Sequence, residues 1–322
     1  MKKIIVVQPI HPKGMAILQE VGEIVIPDNT SDAAVIEAGQ DAEALVVRLT
    51  PVSESLIDAL PSLKVIGRNG VGVDNIDVAA ASKRRIAVIN APGANSNSVA
   101  EYVVSAFVML HKKFAQLDKN LRNGNWQFRD QCRGIDLRGK TIGIIGMGQI
   151  GSMLVQMCHA GFGMRVLIYD PYIAPERITS CGAQPCQDLD QLLRESDVVS
   201  LHVPLTSATK GLIDKNRLEL MKPGAVLVNA SRGGIVDEEA LADALESGRL
   251  GGAALDVFGE EPPQNNSPLW KAPNLLVTPH IAGLTEDAAA KTSEVMANDV
   301  AAVLNGLKPV NHYNKDAFGE VS

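Results

Sequence analysis

The stretch TIGIIGMGQIG at 141–151 constrains the fold more than any other part of the chain. An apolar, β-branched run meets Gly146, Gly148 and Gly151 in G-x-G-x-x-G spacing, and a helical pattern continues through Ala160. Each glycine has its own physical task. The first permits a tight turn out of a strand, the second lets backbone approach a pyrophosphate, and the third lets the helix pack on the strand. Phosphates then sit at a helix N-terminus, where unpaired N–H groups and the dipole favour negative charge. The next apolar run, RVLIYD, ends in Asp170, 19 residues past Gly151. An acid there accepts hydrogen bonds from ribose hydroxyls and repels a 2′-phosphate, which favours NAD over NADP. Such a strand–turn–helix unit has to be completed by parallel neighbours.

The rest of the chain supplies them. From Lys140 onward TIGII, RVLIY, VVSLHV, AVLVNA, AALDV and LLVTPH give six strand candidates, most with helical patterns between them. Six is the strand number of a complete doubly wound dinucleotide fold. A separate series precedes it: KKIIVV, EIVIP, ALVVR, LKVIGR and IAVIN, with helices predicted over Gly14–Glu20, after a Ser31 cap, and near Ser53–Leu60. The class is therefore α/β, and 322 residues suit about two domains. Between the series lies a long amphipathic helix pattern from Ser98 to about Leu121, then the polar, Gly-rich RNGNWQFRDQCRGIDLRGK with no clear strand. That connection is too long for an ordinary loop, which suggests an excursion to another subunit or an interdomain crossover. An alanine-rich helix pattern from Thr285 to Leu307 is placed to return and cover the first series.

Composition narrows the function classes. The net charge of −7 carries no block of like charges, so no basic face for nucleic acid or a membrane surface is expected. The N-terminal apolar run breaks at Gln8 and Pro9, and no later one is long enough to span a bilayer. Cys132, Cys158, Cys181 and Cys186 are scattered without a CxxC pair, which fits reduced thiols in a cytoplasmic protein. His11, His111, His159 and His312 lack metal-ligand spacing, so no metal is expected.

Chemistry on a nicotinamide needs a proton donor and a cation for an anionic substrate. Three strand ends offer them: Arg232 in VLVNASRGGIVDEEAL, Glu261 in AALDVFGEEPP and His280 in LLVTPH. Ligands of doubly wound sheets bind at the carboxyl ends of strands. Singly, each residue reads as well as a surface ion pair, a solvated acid or a packed histidine.

Taken together the motifs resemble the D-isomer-specific 2-hydroxyacid dehydrogenases over nearly the whole chain. They are GRNGVGVDNID at 67–77, SVAEYVV at 98–104, GIIGMGQIG at 143–151, LHVPLT at 201–206, NASRGGIVDEEAL at 229–241, DVFGEEPP at 256–263 and TPHIAG at 278–283. Within that family the chain is most similar to phosphoglycerate dehydrogenases, in a short form without a regulatory domain. The resemblance implies a Rossmann-type NAD-binding domain over 99–284, inserted into a flavodoxin-like substrate domain of 1–98 and 285–322. It also implies a dimerisation arm at 99–139, a homodimer, and an active-site cleft whose closure excludes water.

It assigns residues as well. Arg232 would bind the substrate carboxylate, His280 would be the acid–base group, and Glu261 would pair with the imidazole. Gly146, Gly148, Gln149, Ile150, Gly151 and Asp170 would hold NAD, with Pro204 and Thr209 on the adenine side. Ala230, Ser231, Arg232, His280 and Gly283 would lie along the cofactor, and Asp256 would meet the nicotinamide carboxamide. His202 reads as packed near the cofactor. The amides of Gly70, Val71 and Gly72 would cradle a carboxylate beside Asn69, and Arg48, with Arg68 as a second candidate, would answer a second anionic group. The expected substrate pair is 3-phosphoglycerate and phosphohydroxypyruvate. Asn69 departs from the small residue expected there in phosphoglycerate enzymes, which keeps hydroxypyruvate, glyoxylate and sulfopyruvate as alternatives. Related corepressors use the same fold to sense NADH and bind partners, a reading from a different class.

Overall fold

A computed structural model describes residues 2–315. Residues 316–322, which the sequence reading places in the substrate domain, lie outside the described residues. The chain divides into two compact units, Met1–Asn95 with Leu284–Ser322, and Ser96–Gly283.

The first unit holds five parallel strands: β1 Lys3–Val6, β2 Glu23–Val25, β3 Ala44–Val47, β4 Val65–Arg68 and β5 Ala87–Ile89, in the order β2-β1-β3-β4-β5. That is the flavodoxin-like order. Successive side chains of a strand point to opposite faces, and here both faces are covered. Ile5, Leu45 and Val47 enter one core, while Ile4, Ala44 and Val46 enter the other. The second of these cores is closed by Leu18 and by Met296, Val300 and Leu304 of the Glu286–Leu304 helix, so the alanine-rich tail does cover this sheet. Helix and sheet meet closely: a Cβ on Gly67 would lie 2.7 Å from the Met296 sulfur. Asn314 then protects the β5 edge, accepting from Val88 N and donating to the Ile86 carbonyl.

The second unit holds β6 Thr141–Ile145, β7 Arg165–Tyr169, β8 Gln184–Pro185, β9 Val198–Leu201, β10 Val226–Asn229, β11 Gly252–Leu255 and β12 Leu275–Val277. All are parallel, in the order β12-β11-β10-β9-β6-β7-β8. The order reverses between β6 and β9, which is the topological switch point of a Rossmann sheet. Again the core is two-sided: Ile145, Val199 and Leu227 face one cluster, and Ile144, Val198 and Val228 the other.

Three expectations need correction, and one edge strand is a further finding. The sheet has seven strands instead of six, because β8 is two residues long and its Gln-Pro carries no apolar signal. The helix pattern from Ser98 to Leu121 is two helices, Ser96–Lys112 and Phe114–Arg122, broken where Lys113 adopts φ 55°. The helix after the glycine turn ends at Gln156 and continues to Gly161 as a π-turn. The strand leading to His280 is only half-buried, since β12 is the sheet edge. Among the described residues no helix is long and apolar enough to cross a membrane, and no group of His, Cys, Asp or Glu is arranged to hold a metal ion.

Candidate active site

The glycine turn behaves as three distinct sites. Gly146 follows β6 at φ +96°, and a Cβ there would lie 2.4 Å from the His202 carbonyl oxygen. A Cβ on Gly151 would lie 2.4 Å from the Gly146 carbonyl oxygen, so that glycine sets the helix against the strand. A Cβ on Gly148 would meet nothing within 4 Å. Its openness is the space that a pyrophosphate needs. Ser31, Ser53, Asp77, Asp188, Asp214, Asp237 and Thr285 cap their helices with side chains, whereas Gly148 offers none to the helix that begins at Gln149. The amides at Gln149 and Ile150 are thus available to an anion. These residues fit a dinucleotide.

Asp170 directly follows β7, where the acid was expected, and it also ties the turn down. Its Oδ2 accepts from Met147 N at 2.8 Å and its Oδ1 from Tyr172 N at 2.9 Å. A carboxylate has further lone pairs, so ribose hydroxyls can still be accepted. Thr209 donates to the Pro204 carbonyl at 2.6 Å and accepts from Thr206 N at 2.8 Å, which makes it the scaffold of the loop after β9. His202 shares a proton with Ser200 at 2.7 Å, and its enclosed Nδ1 has no partner. Burial pushes its pKa down to about 3, so this imidazole is neutral and inert as an acid–base group.

The three chemical candidates sit at the ends of adjacent strands. After β10, buried Asn229 organises the turn: its Oδ1 accepts from Ser231 N and Oγ, and its Nδ2 donates to the Arg232 carbonyl at 2.9 Å. Arg232 Nη1 bonds the Ser231 carbonyl at 2.8 Å, leaving Ala230 between strand and turn. Gly233 must be glycine, because a Cβ there would fall 1.7 Å from the Phe258 carbonyl oxygen. That close approach brings the Arg232 turn onto the loop after β11. In that loop Glu261 Oε1 accepts from Phe258 N at 3.1 Å, and Oε2 lies 2.8 Å from His280 Nδ1. Both side chains of this pair remain partly open, at 48% and 39% exposure, so a substrate can reach the ring. Gly283 follows at intermediate burial.

Asp256, expected to meet a carboxamide, is 1% exposed. Its carboxylate already takes Thr278 Oγ1 at 2.6 Å, Ile281 N at 2.8 Å and Ala282 N at 2.8 Å. Its visible work is holding the His280 turn.

In the first unit, Gln8 Oε1 accepts from the amides of Arg48, Leu49 and Thr50, fixing the turn after β3. Among the described residues the Arg48 guanidinium has no partner. Arg68 folds over Gly70 and bonds the Asn69 carbonyl at 3.2 Å. Asn69 Oδ1 accepts from Ser293 at 2.9 Å. The expected cradle is smaller than three amides, since Gly70 N is spent on the Arg68 carbonyl at 2.8 Å. Val71 and Gly72 keep theirs. Sequence reasoning missed Asn229 and Gln8, although a polar residue closing an apolar strand is a signal for both.

Comparison with known proteins places these features in a family. Over 98% of its length the chain is 43% identical to a D-3-phosphoglycerate dehydrogenase of Methanocaldococcus jannaschii, and it spans about 60% of the length of that relative. A solved structure, the TT0316 protein of Thermus thermophilus, is 33% identical with a TM-score of 0.87, covering 97% of this chain and 99% of that one. A glyoxylate reductase structure from a Paecilomyces fungus is 29% identical with a TM-score of 0.87, covering 98% and 99%. The family described as D-isomer specific 2-hydroxyacid dehydrogenase, NAD binding domain, matches residues 104–282, across the glycine turn, Arg232, Glu261 and His280; the chain belongs to the D-isomer specific 2-hydroxyacid dehydrogenases.

Proposed function

We propose that this chain catalyses hydride transfer between NAD(H) and a short 2-hydroxy or 2-keto acid, with 3-phosphoglycerate and phosphohydroxypyruvate as the pair. The observation that carries the reading is the 2.8 Å contact of His280 Nδ1 with Glu261, beside the Arg232 turn. Bound nicotinamide supplies or accepts the hydride. Arg232 takes the substrate carboxylate in its planar fork, a bidentate task that lysine performs poorly. With Nδ1 turned to Glu261, Nε2 is the nitrogen left to protonate the keto oxygen and to take that proton back in oxidation. Glu261 holds the ring in that orientation. The Val71 and Gly72 amides and Asn69 are further candidate contacts for the carboxylate.

Two observations favour a phosphorylated acid. Relatives named for D-3-phosphoglycerate match nearly the whole chain, and Arg48 is a half-buried cation without a partner among the described residues. The likeness to a glyoxylate reductase supports the alternative, hydroxypyruvate or glyoxylate. NADH oxidation measured against phosphohydroxypyruvate, hydroxypyruvate, glyoxylate, pyruvate and sulfopyruvate decides between them. The proposal expects the phosphorylated acid to lead, and Arg48→Ala to raise its KM about tenfold or more while sparing hydroxypyruvate. A higher kcat/KM for hydroxypyruvate or glyoxylate refutes the phosphorylated pair.

The segment at 99–139 supports a homodimer. Phe114, Leu121, Trp126 and Ile135 are 54%, 55%, 60% and 44% exposed, and the Phe114–Arg122 helix buries no residue. An amphipathic helix with its apolar face uncovered calls for a partner surface. Two-fold pairing of this arm, in a cytoplasmic protein whose four cysteines are all free, completes the proposal.

A further inference from the structure

Behind His280 runs a line of hydroxyls that the roles above leave unused. Tyr102 stands on the Ser96–Lys112 helix, with its phenol oxygen 2.7 Å from Thr278 Oγ1. Thr278 Oγ1 donates to Asp256 Oδ1 at 2.6 Å. A threonine hydroxyl has a single proton, and this one is committed to the carboxylate, so Tyr102 must be the donor in the first bond. The direction is fixed from Tyr102 through Thr278 to Asp256.

Asp256 grips the turn that follows. Its side chain takes the amides of Ile281 and Ala282, and its carbonyl takes His280 N at 2.8 Å. Within that grip His280 adopts φ 55°. A residue with a Cβ is disfavoured in this left-handed region and stays there only when its surroundings over-determine it. The bonds that Asp256 accepts are that over-determination, and the two made by its side chain depend on where its carboxylate points.

We propose that Tyr102 is a positioning residue for His280, acting through Thr278 and Asp256 to hold the imidazole against Glu261. The inference rests on the acid–base reading of His280 given above. Donation from Tyr102 locks the Thr278 rotamer, and the locked hydroxyl orients the carboxylate toward the two amides. The ring of Tyr102 packs on the core that contains Ala106 and Phe107, so Tyr102→Phe keeps the packing and removes the hydroxyl alone. Burial raises the phenol above its ordinary value, which keeps it a donor across the working range.

The test compares Tyr102→Phe, Thr278→Val, Thr278→Ser and the double variant Tyr102→Phe/Thr278→Val in two assays. In steady-state kinetics Tyr102→Phe lowers kcat about three- to tenfold, with KM for NADH within about twofold of wild type. Thr278→Val loses at least as much, Thr278→Ser recovers it, and the double variant is no worse than Thr278→Val because the effect of Tyr102 passes through Thr278. Amide exchange at Ile281 and Ala282, read without substrate, quickens by a similar factor in Tyr102→Phe. Unchanged kcat in Tyr102→Phe, losses that multiply in the double variant, or unchanged exchange at both amides overturns the proposal. If the wild-type protein turns over no keto acid, the acid–base reading of His280 falls, and the exchange assay still decides whether Tyr102 holds the turn.

Discussion

Alanine placed at each glycine of the 146–151 turn separates cofactor binding from folding. Gly148 has φ −76° and open space where a Cβ would stand, so Gly148→Ala is compatible with the fold. Removing the freedom of glycine from the unfolded chain stabilises by about 0.4–1 kcal/mol, or roughly 1–4 °C in Tm for a unit of this size. The same methyl occupies space that a pyrophosphate needs. NADH affinity should therefore fall about 10- to 100-fold, equivalent to roughly 1.4–2.8 kcal/mol. Gly151→Ala does the reverse: its methyl would stand 2.4 Å from a backbone oxygen that cannot swing away. Overpacking of that kind costs about 1–3 kcal/mol and lowers Tm by roughly 2–12 °C. Gly146→Ala adds left-handed strain to a clash of the same size and should be worse still. The assays are NADH fluorescence titration and thermal melting on the same samples. Wild-type NADH affinity in Gly148→Ala, or a loss of stability matching that of Gly151→Ala, would rule out a pyrophosphate seated at Gly148.

Three further outcomes follow from His202, Gly233 and Gln8. His202 has an ordinary value of 6.5 and a folded value of about 3, so the unfolded chain protonates first as pH falls. Stability is then complete above 6.5 and is lost between there and about 3, at up to about 1.4 kcal/mol per pH unit; urea melts should show His202→Asn flattening that acid limb. Gly233→Ala drives a methyl into the Phe258 carbonyl and parts the Arg232 turn from the Glu261 loop, so kcat/KM should drop about 100-fold or more while NADH still binds. Gln8→Leu strands the amides of Arg48, Leu49 and Thr50 and should cost about 2–3 kcal/mol, read as an early transition of the first unit with NADH affinity intact.

What could be read in the sequence was whatever repeats locally. Strands such as ALVV and VLVN are buried along their whole length and announce themselves as apolar runs. Their alternation with helices implies parallel sheets, whereas the two strand orders were implied only by the family resemblance. The edge element Gln184–Pro185 carries no such run. The break at Lys113 has neither glycine nor proline beside it, so the periodicity runs straight through it. At the site, Glu261 and His280 stand out in the sequence because each follows a strand, next to glycines or prolines that mark the turn, and the family resemblance supplied the roles expected of them. Polar contacts that join distant segments were not legible there. Tyr102 bonds Thr278 across 176 positions, and Gln8 reaches Thr50 across 42, contacts that leave no local pattern. The Gly70 amide is engaged by the Arg68 carbonyl in a short turn, which composition alone does not show.

The role proposed for His280, held by Glu261, is to move the proton that accompanies hydride transfer. The most direct measurement is NADH oxidation by His280→Asn under saturating keto acid, with NADH affinity measured on the same sample. The kcat should fall about 100-fold or more with NADH affinity retained. A variant that turns over within about threefold of wild type would contradict it.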